Sequence, residues 1–168
     1  MGRRNRKYEG KVKVMKKVLK IIVLLIILLL ILLPIYILFM NNIIAYNTKR
    51  KLEKTELPEN TAIIDSISIA GKVTGNGDGM QYFGAILIKT DLSENELNQY
   101  YKRHRENDWS FIIHKQNSSK IDVIDCLHYE FKKYNDNEKD KYYIIYSFGS
   151  AKNVFLGDIL EEFDIRGH

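Results

Sequence analysis

Residues 21–40 read IIVLLIILLLILLPIYILFM, twenty residues without a charge. At about 1.5 Å rise per residue, such a helix spans roughly 30 Å, the thickness of a bilayer's hydrocarbon core. The run divides the chain into a short leading tail, one expected membrane span and a water-facing remainder. Pro34 costs the helix a backbone hydrogen bond, which spanning helices tolerate when neighbouring groups satisfy the freed carbonyl. With no ionisable group in the run, one helix is no ion path. It also lacks a G-x-x-x-G face for dimerisation. Its expected job is anchorage, with Tyr36 reaching the interface as aromatic belts do.

Orientation follows from the flanks. Residues 1–20 carry nine Lys and Arg against Glu9 alone, whereas the first cations after the run are Lys49, Arg50 and Lys51. The positive-inside rule therefore places residues 1–20 in the cytoplasm as a basic tail and residues 41–168 outside, in a cell membrane crossed once. A cleaved secretory signal is the competing reading. Its apolar region is shorter, typically about 7–15 residues, and it ends on small residues. Here Ile43 stands two places before Ala45, which is too bulky for such a site, so an uncleaved signal-anchor is expected.

The formal charge of +5 belongs to the tail. Residues 41–168 hold 17 Lys and Arg against 20 Asp and Glu, a mildly acidic balance that disfavours nucleic acid as a partner. The lipid bilayer is the expected partner of the tail and span, where each cation near anionic lipid is worth about 1 kcal/mol. Cys126 is the only cysteine, so no internal disulfide forms. An extracytoplasmic domain without disulfides suits a bacterial surface better than a eukaryotic secretory route.

Residues 41–60 are polar and mixed in charge, closing at Leu57-Pro58, and read as a juxtamembrane linker that can continue the membrane helix for a turn or two. From residue 61 to 168 the pattern fits one α+β domain. Ile63, Ile67 and Ile69 alternate with Ile64, Ser66 and Ser68, a half-buried strand. QYFGAILIK, residues 81–89, is apolar on both faces and predicts a central strand. Ser93 and Glu96 form a capping box, with Leu92 and Leu97 as its hydrophobic staple, so a helix should run to about Asn107. Leu97, Tyr100, Tyr101 and His104 share one of its faces. Trp109, Phe111 and Ile113 predict a third strand, with Trp109 as a core anchor. Ile121, Val123, Leu127, Tyr129 and Phe131 predict a fourth. Tyr142, Ile144, Tyr146 and Phe148 predict a fifth, and residues 154–163 a closing helix. The expected order is β-β-α-β-β-β, an antiparallel sheet with one packed helix.

Gly75, Asn76, Gly77, Asp78 and Gly79 form the candidate ligand-binding loop, since glycines let exposed N–H groups approach an anion. The run lacks phosphate-loop spacing and a full set of calcium oxygens, and Asn-Gly and Asp-Gly are favoured hairpin turns. A turn is the simpler expectation. The four histidines sit on different elements, and none forms H-x-x-x-H or H-E-x-x-H, so neither a metal nor another cofactor is expected. Cys126 and His128 share a strand face without a legible orienting group, so no catalytic residue is assigned. Asp125 reads as an edge charge or a partnered buried carboxylate. Tyr100-Tyr101 and Tyr142-Tyr143 could line a groove, although strand propensity explains them as well. Asp164-Ile165-Arg166-Gly167-His168 reads as a docking peptide or, more simply, as a solvated end.

Through the anchor, GNGDGMQYFGAILI, DLSENELNQYY and the terminal DIRGH, the chain resembles small single-pass membrane proteins of Gram-positive bacteria without an assigned function. The resemblance spans most of the outer domain and implies no catalytic or binding residue. The leading expectation is a membrane-anchored extracytoplasmic interaction or ligand-binding module, an accessory subunit whose second partner is another membrane or surface protein. The alternative is a small surface-tethered hydrolase working through carboxylates and His128.

Overall fold

The apolar run lies within a single helix, α1, Gly2–Glu53, that continues 13 residues past Met40. The computed structural model describes residues 2–74, 79–102, 111–124, 128–164 and 166, apart from the side chains of residues 2–10, 12, 139 and 140. It divides into two compact units, residues 1–36 and 37–168. In the first unit every side chain from Ile21 to Leu32 is exposed. α1 is long and apolar enough to cross a membrane.

The second unit holds the rest of α1 and an α+β domain. Its elements are β1 (Ala62–Gly71), β2 (Gln81–Lys89), α2 (Glu94–Lys102), β3 (Ile112–Lys115), a 3-10 turn (Asp136–Lys141), β4 (Tyr142–Gly149) and α3 (Gly157–Glu162). The sheet order is β1-β2-β4-β3, with every pairing antiparallel. β2 lies in the interior, as its two apolar faces require.

In residues 41–60, expected as a linker able to continue the helix for a turn or two, the helix runs on to Glu53, within the compact unit that begins at Ile37. Ile37, Asn41, Ile44, Ala45, Thr48 and Leu52 are buried at helical spacing. This stripe lies on the sheet face formed by Tyr82, Gly84, Ile86 and Ile88. Gly84 makes the approach possible, because a Cβ there would overlap the backbone of Lys49. α2 shares this face. Leu97, Tyr101, Phe111, Ile113, Tyr143 and Ile145 pack with Leu52, Ile86 and Ile88.

The capping box of α2 forms as expected. The Ser93 backbone N–H donates to Glu96 Oε2 at 2.8 Å, and the Glu96 N–H donates to Ser93 Oγ at 3.4 Å. Leu97 and Tyr101 are its buried residues. His104 and Trp109 lie outside the described residues.

The other sheet face buries Ile69, Phe83, Ala85, Leu87, Tyr142, Ile144 and Tyr146. Its cover corrects two expectations. Residues 121–131 are not a strand where they are described. The N–H of Ile121 donates to the carbonyl of Tyr129 at 2.9 Å, and that of Phe131 to Ser119 at 2.8 Å. Between them Lys120 and Glu130 form a bridge, the one bridge among the described residues of the segment. The segment drops Ile121, Ile124 and Phe131 onto the sheet as a loop, so alternation along the chain encodes anchor points here and not a pleat. In β1 the register shifts between Ile63 and Asp65. This bulge reverses the alternation, so Ile63 packs on the helix face while Ile64, Ile67 and Ile69 pack on the loop face.

Candidate functional site

A buried polar cluster lies where α1 leaves its apolar run. Asn41 is fully buried, and its amide uses both donors and its acceptor. Nδ2 donates to the carbonyl of Leu160 at 2.9 Å and to Asp164 Oδ2 at 2.7 Å. Oδ1 accepts from the hydroxyl of Tyr82 at 2.9 Å. Asp164 in turn accepts from the backbone N–H of Arg166 and from its Nε, both at 2.9 Å, and from its Nη2 at 2.7 Å. The same guanidinium donates from Nη1 to Asn42 Oδ1 at 2.9 Å. Two consecutive residues of α1, the first inward residue of β2 and the C-terminal segment are thereby tied together.

The electrostatics of this clamp follow from its geometry. Burial raises the pKa of the Asp164 carboxyl, but hydrogen bonds from Arg166 and Asn41 outweigh it and hold the group at about 2. Burial, with the carboxylates of Glu161 and Asp164 nearby, pushes the Tyr82 hydroxyl well above its ordinary range. At neutral pH the aspartate stays charged and the tyrosine stays protonated. Neither is poised to pass a proton, so the cluster is built as a clamp and not as an acid–base pair.

The solvated end expected for residues 164–168 is therefore corrected for the two residues described. Asp164 is buried and Arg166 is partly so. The charges of the DIR triplet pair with each other and with α1, which removes most of the cost of burying Asp164. Sequence reasoning passed over Asn41 and Tyr82 as site residues and read Asp164 only as part of a terminal peptide. The available signal was an asparagine placed directly after an apolar run, where a helix side chain must find partners or reach water.

Of the glycine-rich loop, only Gly79 is described; Gly75, Asn76, Gly77 and Asp78 lie outside the described residues. Gly79 has φ of 96°, a conformation natural to glycine. The next residue, Met80, donates its N–H to the carbonyl of Glu161 at 3.2 Å, so the loop's exit is tied to α3.

A shallow cavity of about 290 Å3 lies beside the clamp, lined by Ile44, Asn47, Thr48, Lys51, Gly149, Ser150 and Val154. It falls at the lower edge of the range for ligand pockets. His114 is exposed and stacks on Tyr146 with ring centres 5.9 Å apart. His128 is exposed, and its expected neighbours Asp125 and Cys126 lie outside the described residues. Among the described residues no three His, Cys, Asp or Glu side chains converge on a common point. Tyr142 and Tyr143 face opposite sides of the sheet and so line no common groove. Compared with protein-family models, characterised proteins and solved structures, the chain matches none.

Proposed function

We propose that the chain is a membrane-anchored extracytoplasmic interaction module, an accessory subunit at a bacterial surface. Residues 1–20 would face the cytoplasm and residues 41–168 the outside. One observation carries the reading. The helix that bears an apolar run, exposed from Ile21 to Leu32, goes on to supply a core element of the domain, with Leu52 only 2 % exposed. An anchor joined to a domain in this way serves to hold a binding surface at the membrane. The shallow cavity beside Thr48 and Gly149 is a concavity available for a ligand or a partner's side chain.

Protease added to intact protoplasts should degrade residues beyond the span and leave a basic membrane-bound stub. Protection of the whole chain would overturn the orientation. Purification from detergent-solubilised membranes should return a stoichiometric partner or ligand; a clean monomer would overturn the interaction role.

A further inference from the structure

The C-terminal segment carries three exposed apolar side chains within nine residues. Phe155 is 76 % exposed, Leu156 37 % and Phe163 65 %. Isolated exposed apolar residues need no explanation, but two phenylalanines this exposed in one short segment do. The clamp fixes the level of Phe163 along the molecule, and Val154, which lines one cavity with Ile44, Asn47 and Thr48, sets that of Phe155 a turn or two further out. Leu160 and Asp164 bond directly to Asn41, the residue immediately after the apolar run. One turn earlier, Ile37 lies inside the run, belongs to the domain unit and is only 3 % exposed. The domain thus packs on α1 down to the last turn of the apolar stretch.

We propose that the α3 segment rests in the membrane interface, with Phe163 at the headgroups and upper acyl chains and Phe155 among the headgroups. The proposal depends on the anchor reading above, because it is the bilayer around residues 21–40 that brings lipid to this level. The occupant is lipid and not an acidic or basic surface. Among the exposed side chains of residues 152–163, Lys152 is the one cation against Asp158 and Glu162, so the contact is apolar in origin and does not rest on anionic headgroups. The opposite end of the domain is remote. β2 runs from Tyr82 at the clamp to Lys89, about 23 Å away at strand rise, where Lys89 bonds Glu138.

The test uses the full chain reconstituted into phosphatidylcholine vesicles. Phe163→Trp and Phe155→Trp are compared with Asn137→Trp at the far end, each after subtraction of the parent's Trp109 emission. Because the substituted side chains are exposed, folding is not at stake. With lipid brominated near the top of its acyl chains, the emission added at 163 and 155 should lose about half its intensity. That added at 137 should be unchanged, and adding phosphatidylglycerol should alter neither result. Vesicles that float with the chain while all three positions remain unquenched would overturn the interfacial contact alone. Shielding of position 163 from both bromolipid and aqueous acrylamide would overturn it in favour of a protein partner. Quenching that requires anionic lipid would overturn its apolar basis. A chain that does not float with vesicles would overturn the anchor and the contact together.

Discussion

Two leucines of one helix, Leu29 and Leu52, are 64 % and 2 % exposed. The contrast extends to the regions around them. From Ile21 to Leu32 every side of α1 is apolar and every side is exposed, so no face is marked for a protein partner. From Ile37 to Leu52 the residues differ by face. One stripe is buried on the sheet, while Asn42, Tyr46, Asn47, Arg50 and Lys51 are exposed. A helix apolar all round suits a solvent that is itself apolar, whereas a striped helix suits a protein core on one side and water on the other. The less hydrophobic part is the better buried. Hydrophobicity reports the solvent that a helix wants; its period reports whether protein is on one side.

If the striped half belongs to the core, truncating it should act as in any core. Leu52→Ala removes a side chain packed among Ile86, Ile88 and Tyr143, and should cost about 2–5 kcal/mol. Chemical denaturation of the detergent-solubilised chain, followed by hydrogen exchange at the β2 amides, reads this directly. A loss below about 1 kcal/mol would mean that this half is only laid against the domain.

The polar members of the stripe come next. Asn41→Leu keeps the branching at Cγ, with a somewhat larger side chain, but leaves the Leu160 carbonyl, the Tyr82 hydroxyl and one Asp164 oxygen without their shared partner. Stranding buried polar groups costs about 1–3 kcal/mol, and the exchange protection of α3 should fall with it. Loss of α3 protection while β2 stays protected would show that the clamp holds the C-terminal segment more than the sheet.

Most of the sheet was legible in the sequence. β2 declared itself through two apolar faces, α2 through its capping box, and β4 through aromatic and branched alternation. Three features were not legible, each for a physical reason. The striped half of α1 hid its period, because Asn41 and Thr48 occupy buried positions. Both look solvated until their partners are known, and Thr48 settles its hydroxyl on the carbonyl of Ile44 at 3.0 Å. The segment over the second face mimicked a strand, because Ile121 and Phe131 mark its two ends and, among its described residues, one bridge joins them. The clamp pairs residues more than 120 positions apart, as Asn41 and Asp164 do, and no local pattern reports such a pairing. Gly84 was visible as a glycine inside an apolar strand, but its reason, the backbone of α1, lies outside the strand.

The clamp also sets a pH dependence, with an effect near the lower end of these. The Asp164 carboxyl is held at about 2 in the folded chain against an ordinary 3.8. Because the folded value is the lower one, its contribution is complete above about pH 4 and is lost as pH falls toward 2. The size should be about 2 kcal/mol, since each unit corresponds to roughly 1.4 kcal/mol. Denaturant melts between about pH 5 and pH 2 should show that slope, and Asp164→Asn should flatten it. An unchanged slope in the variant would assign the acid sensitivity to other carboxylates, such as Glu138, held below its usual range by Lys89.

The smallest effect is the sharpest test of the contrast between the two halves. Leu29→Ala makes the same chemical change as Leu52→Ala, in the same helix, at a residue 64 % exposed. Alanine is at least as good a helix former as leucine, so the backbone loses nothing. With no packed protein neighbour lost, the stability of the domain should change by less than about 0.5 kcal/mol. The same denaturation and exchange measurements therefore give a matched pair in which only burial differs. If Leu29→Ala weakened the domain as Leu52→Ala does, the apolar half would be part of a protein core, through a second copy or another chain. The division of α1 into a lipid-suited half and a protein-suited half would then fail. If the pair separates as expected, burial alone accounts for the difference between two leucines of one helix.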